Sequence, residues 1–182
     1  MKKIFLTALL LVFAASPFAA FAADPIAPPI IKTVDMKTAD GRDAGYVRLT
    51  QTKAGVLMEV NLHNVAPGVH GFHIHEKGDC SPPDTFVNAG GHLNPDGHPH
   101  GFKVDHGPED GDMPNINVDV NGQLKEEMMN PRVTLDANDT SRRGQLLDAD
   151  GFSIVIHAQP DDYMSQPAGN SGARIACGAI LK

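Results

Sequence analysis

From about residue 31 onward the chain is built of short stretches in which apolar and polar residues alternate. In GVLMEVNLHNV (55–65), Val56, Met58, Val60 and Leu62 occupy every second position. Successive side chains of a strand point to opposite faces, so this spacing predicts a half-buried β-strand whose apolar face carries those four residues. IKTVDMKT (31–38), AGYVRLTQT (44–52), VHGFHIHE (69–76), NINVDV (115–120), RVTL (132–135), GFSIVIHA (151–158) and ARIACGAIL (173–181) read as further strands. Turn residues punctuate them: Ala39-Asp40-Gly41, Lys53-Ala54-Gly55 and Asn121-Gly122. The last pair is a strong hairpin signal and predicts that NINVDV folds back on the segment after the turn. No long helical period and no internal repeat interrupts the series. About eight short strands imply an all-β sandwich or barrel.

Two stretches fall outside this pattern. One runs from Cys80 to Pro114 and is dense in Gly, Pro, His and Asp; the other runs from Gln159 to Gly172. Connections of this length inside a compact domain are usually functional or disordered. The first holds four of the nine histidines, which marks it as functional.

The beginning of the chain obeys different rules. Lys2 and Lys3 precede an apolar run from Ile4 to Ala15, and Ala20-Phe21-Ala22 offers small residues at the spacing of a cleavage site. Residues 1–22 therefore read as a secretory signal peptide, with the periplasm as destination. The apolar run is short for a membrane span and is followed by Pro17, so no membrane attachment is expected after cleavage. Residues 23–31, with Pro25, Pro28 and Pro29, read as an extended leader, and residues 32–182 as one domain. The formal charge of the whole chain is −7; residues 1–22 carry two lysines and no acid, so the exported form carries −9. Such an acidic domain is a poor partner for nucleic acid or anionic membranes. Its only cysteines are Cys80 and Cys177. In an oxidising compartment they are expected to pair. A link over that separation is worth about 4–5 kcal/mol in the loop-entropy account.

His73 and His75 lie two apart in GFHIHEKGDC (71–80), so a strand would present both imidazoles on one face while Phe72 and Ile74 enter the core. Two rings on one rigid face suit one metal ion, although that spacing alone is a weak signal. The long loop adds His92, His98, His100, His106, Glu109 and Asp112, and a late strand adds His157. Imidazole suits copper and zinc, and carboxylate is a good further ligand for zinc. A His-rich loop that merely scavenges metal is the competing explanation.

Six segments in order carry a resemblance: PGVHGFHIHEKGDC (67–80), NAGGHLNP (88–95), PHG (99–101), GDMPNINVDVNG (111–122), FSIVIHAQPDD (152–162) and GNSGARIACGAI (169–180). With them the chain resembles the bacterial copper/zinc superoxide dismutases, over nearly all of its length after the leader. The resemblance implies an eight-stranded Greek-key β-barrel or sandwich with long metal-binding and electrostatic loops. It implies dismutation of superoxide by copper, with zinc sharing a bridging histidine. His73, His75, His92 and His157 would be the copper ligands, with His92 shared with zinc and, together with Arg174, catalytic. His100 and Asp112 would bind zinc. Asp161 would link a copper ligand to a zinc ligand, and Cys80–Cys177 would be the family's internal disulfide.

One position departs from the family pattern. Where these enzymes carry a third zinc histidine three residues before the aspartate, this chain has Glu109, in HGPEDGD (106–112). Three arrangements stay open: Glu109 as ligand, His106 swinging in instead, or weak zinc. The alternatives to a copper/zinc dismutase are accordingly a copper-only dismutase and a non-enzymatic periplasmic copper-binding protein. Of the other histidines, His70 is expected to bond loop backbone, His63 to lie at the surface and His98 in solvated loop. Arg142 and Arg143 are read as solvated charges or as positive potential near the entrance. The family includes both monomers and homodimers, and no interface is legible.

Overall fold

The computed structural model describes residues 28–141 and 143–181. The signal peptide reading of 1–22 therefore lies outside the described residues. β1 (Ile31–Thr38), β2 (Asp43–Thr52) and β3 (Gly55–Leu62) form a meander; β4 (Gly68–His70) and β5 (Phe72–His75) come next, then β6 (Ile116–Val118), β7 (Leu124–Asn130), β8 (Val133–Thr134), β9 (Gly144–Gln145), β10 (Phe152–His157) and β11 (Arg174–Ile180). β1 begins at Ile31, one residue inside the predicted leader. Seven strands make one antiparallel sheet in the order β5-β10-β11-β1-β2-β3-β7. β4 pairs with β6, and β8 with β9. β4 runs into edge strand β5 and β6 leads to edge strand β7, so the β4–β6 ladder draws the two edges of the sheet toward each other. The sheet is thereby curled into a half-barrel, with no α-helix among the described residues and no helix there long and apolar enough to cross a membrane.

The curl encloses the apolar face that alternation predicts. Val56, Met58, Val60 and Leu62 of β3 are all buried, as are Val34 and Met36 of β1, Val47 and Leu49 of β2, and Ile154 and Ile156 of β10. Phe72 and Ile74 join the same cluster. Each such side chain contributes roughly 1.5–3 kcal/mol by leaving water. β2 bends where Gly45 takes φ +95°; a β-carbon there would collide with the Asn61 carbonyl of β3, so the close approach of the two strands requires glycine.

Three sequence expectations are corrected. VHGFHIHE is two strands, because the chain switches ladders at Gly71, whose N–H donates to Gln159 O (2.8 Å). NINVDV is not half of a hairpin: β6 pairs with β4, and β7 pairs with β3. The turn at Asn121-Gly122, closed by Gly122 N–H to Asp119 O (3.0 Å), passes the chain from one ladder to the other. RVTL supplies only the two-residue β8, whereas LKEEMMN (124–130) forms a full strand that the apolar pattern does not reveal. Its Lys125, Glu126 and Glu127 are exposed, as suits an edge that must not recruit another chain.

Cys80 and Cys177 form a disulfide, with Cα atoms 5.9 Å apart. It ties the start of the long loop to the middle of β11, against a small cluster of Phe86, Ala89 and Val155. Replacing both cysteines by serine is expected to cost about 2–5 kcal/mol in urea unfolding; an unchanged midpoint would show that the loop is held without the covalent link.

Candidate metal centre

β5 lies between β10 and the long loop. On one side β10 pairs with it, placing Val155 opposite His73 and Ser153 opposite His75. On its other side single β-bridges join His73 to Asp112 and His75 to His92. Ile74 contributes to both: its N–H donates to Gly111 O (2.9 Å) and its carbonyl accepts from Leu93 N–H (2.9 Å), with Glu76 N–H to Gly91 O (3.0 Å) completing the His75–His92 bridge, while Gly111 N–H donates to Leu93 O (2.8 Å). The loop residues are thus built against the strand histidines by main-chain bonds. His157 ends β10 at a register irregularity, opposite Arg174, the first residue of β11.

The result is two adjoining clusters. His73, His75, His92 and His157 form the first, and His92, His100, Glu109 and Asp112 the second; within each, one ligand-type atom per residue lies within 4.8 Å of all the others. In the first, His73 Nδ1, His75 Nε2, His92 Nε2 and His157 Nε2 are buried with no hydrogen-bond partner. An unpartnered buried polar atom is costly, and four converging on one point fit a cation they would share. The opposite nitrogen of each ring has an acceptor. His73 Nε2 faces Asp161 Oδ2 (3.0 Å), His75 Nδ1 faces Gly90 O (3.0 Å) and His157 Nδ1 faces Gly172 O (3.3 Å). An N–H donated outward fixes the tautomer and leaves the inward nitrogen with its lone pair.

The second cluster differs in kind. His92 Nδ1 lies 2.8 Å from Glu109 Oε2 and 3.1 Å from Asp112 Oδ1. His100 Nδ1 lies 3.3 Å and 2.7 Å from the same two atoms. Two imidazole nitrogens and two carboxylate oxygens converging this way are a donor set that suits zinc. Asp161 spans the clusters: Oδ2 meets His73, and Oδ1 lies 3.1 Å from His100 Nε2. Asp161 is itself held by Asn115, whose Oδ1 accepts from its N–H (2.8 Å). Gly169, at φ +62°, fits because a β-carbon there would strike Asp161 Oδ1 and His100 Nε2.

His106 lies elsewhere. It is exposed, and its carbonyl accepts from His98 Nδ1 (2.8 Å). His70 is buried, with ring nitrogens 2.8 Å from His157 O and Ala66 O, so it does bond loop backbone. His63 sits on the surface beside Asp43 (3.1 Å). Arg174 donates from Nη1 to Phe86 O and from Nη2 to Gly90 O, both 2.6 Å. With His75, His92, His157 and Glu109 it lines an open cleft of about 390 Å³. Arg143 is not part of that cleft: it bonds Pro131 O (2.9 Å), Asp139 (3.0 Å) and Lys53 O (3.2 Å). Arg142 lies outside the described residues. Sequence reasoning missed Asn94, whose Nδ2 donates to Glu109 Oε1 (2.9 Å), and Arg132, whose guanidinium bonds the main chain of Glu109 and Asp112. Asn94 stands within the quoted motif NAGGHLNP, which was the available signal.

Without metal, the clusters have opposite proton preferences. Burial, with the charge of neighbouring His92 adding to it, pushes His73 down to about 4 against the pull of Asp161. Burial and the neighbouring His73 push His157 to about 3. In the second cluster burial also opposes charge, but Asp112, Asp161 and Glu109 outweigh it and raise His100 to about 11. Burial would raise the Asp112 carboxyl, yet its bonds to His100 and His92 hold it well below the usual range. The metal-free protein should therefore lose stability as pH falls from 6.5 toward 4, where the unfolded chain binds protons that folded His73 and His157 refuse. It should also lose stability as pH rises from 6.5 toward 11, where folded His100 keeps a proton the unfolded chain releases. Urea unfolding of chelator-treated protein across this range should show a maximum between the two limbs; a flat profile would contradict these environments.

Similarity to known proteins agrees with this geometry. The family model described as copper/zinc superoxide dismutase matches residues 43–180. A Cu–Zn superoxide dismutase 2 from Aquifex aeolicus is 44% identical over 147 residues, 80% of this chain and 84% of the relative. Among solved structures, a double mutant of a superoxide-dismutase-like protein from Bacillus subtilis is similar with a TM-score of 0.78 at 38% identity, covering 82% of this chain and 97% of the other. The Cu/Zn superoxide dismutase from Brucella abortus gives a TM-score of 0.65 at 28% identity, covering 83% and 99%.

Proposed function

This chain belongs to the copper/zinc superoxide dismutase family, with superoxide as substrate and copper and zinc as cofactors, and from that premise we propose the role of each residue. His73, His75, His92 and His157 would hold copper through the four inward-facing ring nitrogens. His92, His100, Glu109 and Asp112 would hold zinc. The observation that carries the reading is the set of four buried, unpartnered ring nitrogens facing one another.

Copper, when bound, would supply the one-electron couple that dismutation of superoxide needs, and zinc a fixed positive charge. Arg174 receives the anion. Two of its five N–H donors are committed to the Phe86 and Gly90 carbonyls, which fixes the guanidinium and leaves donors for charge-assisted bonds in the cleft. On a domain of net negative charge, attraction of an anion comes from such a focused local field. Reduction to H₂O₂ consumes two protons. His92 Nε2 would carry one of them only while it is not a copper ligand, and would pass it to the departing product; the other would come from solvent. Asp161 acts through others, orienting His73 and His100 from behind.

The rival readings part company on metal content. Copper with activity but without zinc is the copper-only enzyme; copper without activity is a buffering protein. Arg174→Ala is expected to retain copper and zinc while lowering superoxide turnover roughly 10-fold or more and flattening its salt dependence. His75→Ala should lose copper itself. Full turnover in Arg174→Ala would remove the guanidinium from the mechanism. For zinc, Glu109→Gln is expected to lower the bound zinc per chain and His106→Gln to leave it unchanged, read by metal analysis; the reverse pattern would move the ligand to His106.

Export to the periplasm is inferred from residues 1–22 and fits the disulfide, which persists in oxidising compartments. Fractionation of cells expressing the chain with and without those residues tests it, the expected result being retention of the shortened form in the cytoplasm.

A further inference from the structure

We propose that Arg132 is a positioning residue for the second cluster, bracing the main chain that carries Glu109 and Asp112 and offsetting their combined negative charge. The proposal rests on the assignment of those two carboxylates as zinc ligands. Arg132 lies just after β7, some twenty residues beyond them in sequence. Its half-buried guanidinium donates from Nη2 to Asp112 O (2.7 Å) and from Nε to Glu109 O (3.1 Å). One planar fork therefore spans the carbonyls of both ligand residues and fixes the spacing between them. The face of the fork lies over Phe102, 5.4 Å from the ring centre, and Phe102 packs edge-on against Tyr163 at 5.5 Å. The same support continues next door: Asn130 Oδ1 accepts from Arg132 N–H (2.8 Å), and Asn130 Nδ2 donates to Asp110 O (2.8 Å).

Charge gives Arg132 a second role. A glutamate in place of a neutral imidazole adds one negative charge to the donor set, and Asp110, also buried, adds another beside it. Among the described residues, Arg132 is the one lysine or arginine whose side chain hydrogen-bonds to residues 109–113. Burial works against its charge, while Asp112 and Asp110 support it. Arg132 thus holds the peptide frame from outside, and Asn94, bonded to Glu109 Oε1 (2.9 Å), holds the carboxylate head so that Oε2 turns toward His92 and His100. Neither contact touches copper, substrate or the reacting atoms.

The test uses the full chain loaded with copper and zinc, and the same chain with Co²⁺ in the second site as a spectroscopic reporter. Arg132→Gln is expected to release zinc to a competing chelator with an affinity about 10–100-fold weaker, and to shift the visible Co²⁺ bands. Arg132→Lys, which restores charge without the fork, should recover part of the affinity but not the band positions. A purely structural role would lower the unfolding midpoint of the metal-free chain and leave zinc affinity and Co²⁺ spectrum as in the parent; that result would overturn the proposal, as would wild-type zinc affinity in both variants. Glu109→Gln separates the two layers. If it binds zinc normally, the ligand assignment fails and this inference with it; if it weakens zinc while the Arg132 variants do not, this inference alone fails.

Discussion

The Ile74 peptide is the constraint on which the whole site is built. Its N–H and C=O are each bonded to a different segment of the long loop, and those segments carry His92 on one side and Asp112 on the other. Ile74 itself points into the core, so its backbone position is set by packing. His73 and His75, its neighbours, face the opposite way because a strand alternates. A core residue thus anchors four side chains of the two clusters, two through the pleat and two through the bridges. Loop residues gain the placement accuracy of a strand without belonging to one, which a site needing several ligands within a few ångströms of each other demands.

A shared acceptor couples the cleft to the fold. The Gly90 carbonyl accepts from His75 Nδ1 and from Arg174 Nη2, so an imidazole and the guanidinium beside it are positioned by one atom. That segment is in turn tied to β11 by the disulfide, three residues from Arg174. The covalent link, the small cluster around Phe86 and the carbonyls of Phe86 and Gly90 form one unit. Its contribution is to the location of positive charge at the cleft as much as to stability.

Much of this was legible in the sequence, for identifiable reasons. Alternation over 55–62 exposed β3 because one face is wholly apolar, and the H-x-H spacing placed two rings together because β5 is regular. β7 was hidden because Lys125, Glu126 and Glu127 belong to an edge, where charge prevents aggregation and blurs the apolar period. The break at Gly71 was hidden because a switch of ladder leaves the alternation on either side intact. The choice between Glu109 and His106 could not be read from spacing, since it depends on how a loop closes; the structure turns Glu109 inward and leaves His106 exposed. Arg132 was illegible for another reason: its partners are main-chain carbonyls distant in sequence, and a carbonyl has no letter.

The two clusters share His92 yet are built on opposed electrostatic principles, and the difference explains why they can sit side by side. The first gathers four imidazole nitrogens with no carboxylate among them, and on the proposed assignment to copper such ligands suit an ion that alternates between two charge states. The second is the reverse, with two carboxylates held ionised by their histidine partners, which favours one ion of constant charge. Asp161 reaches both but touches each from behind, through an N–H. His92 alone belongs to both environments: Nδ1 faces the carboxylates while Nε2 lies in the neutral pocket without a partner. Carboxylates on one side raise the ring's hold on a proton against the cost of burial. Without metal the ring therefore holds a proton more readily than a free imidazole does, and the nitrogen left for it is the one that faces the other three histidines.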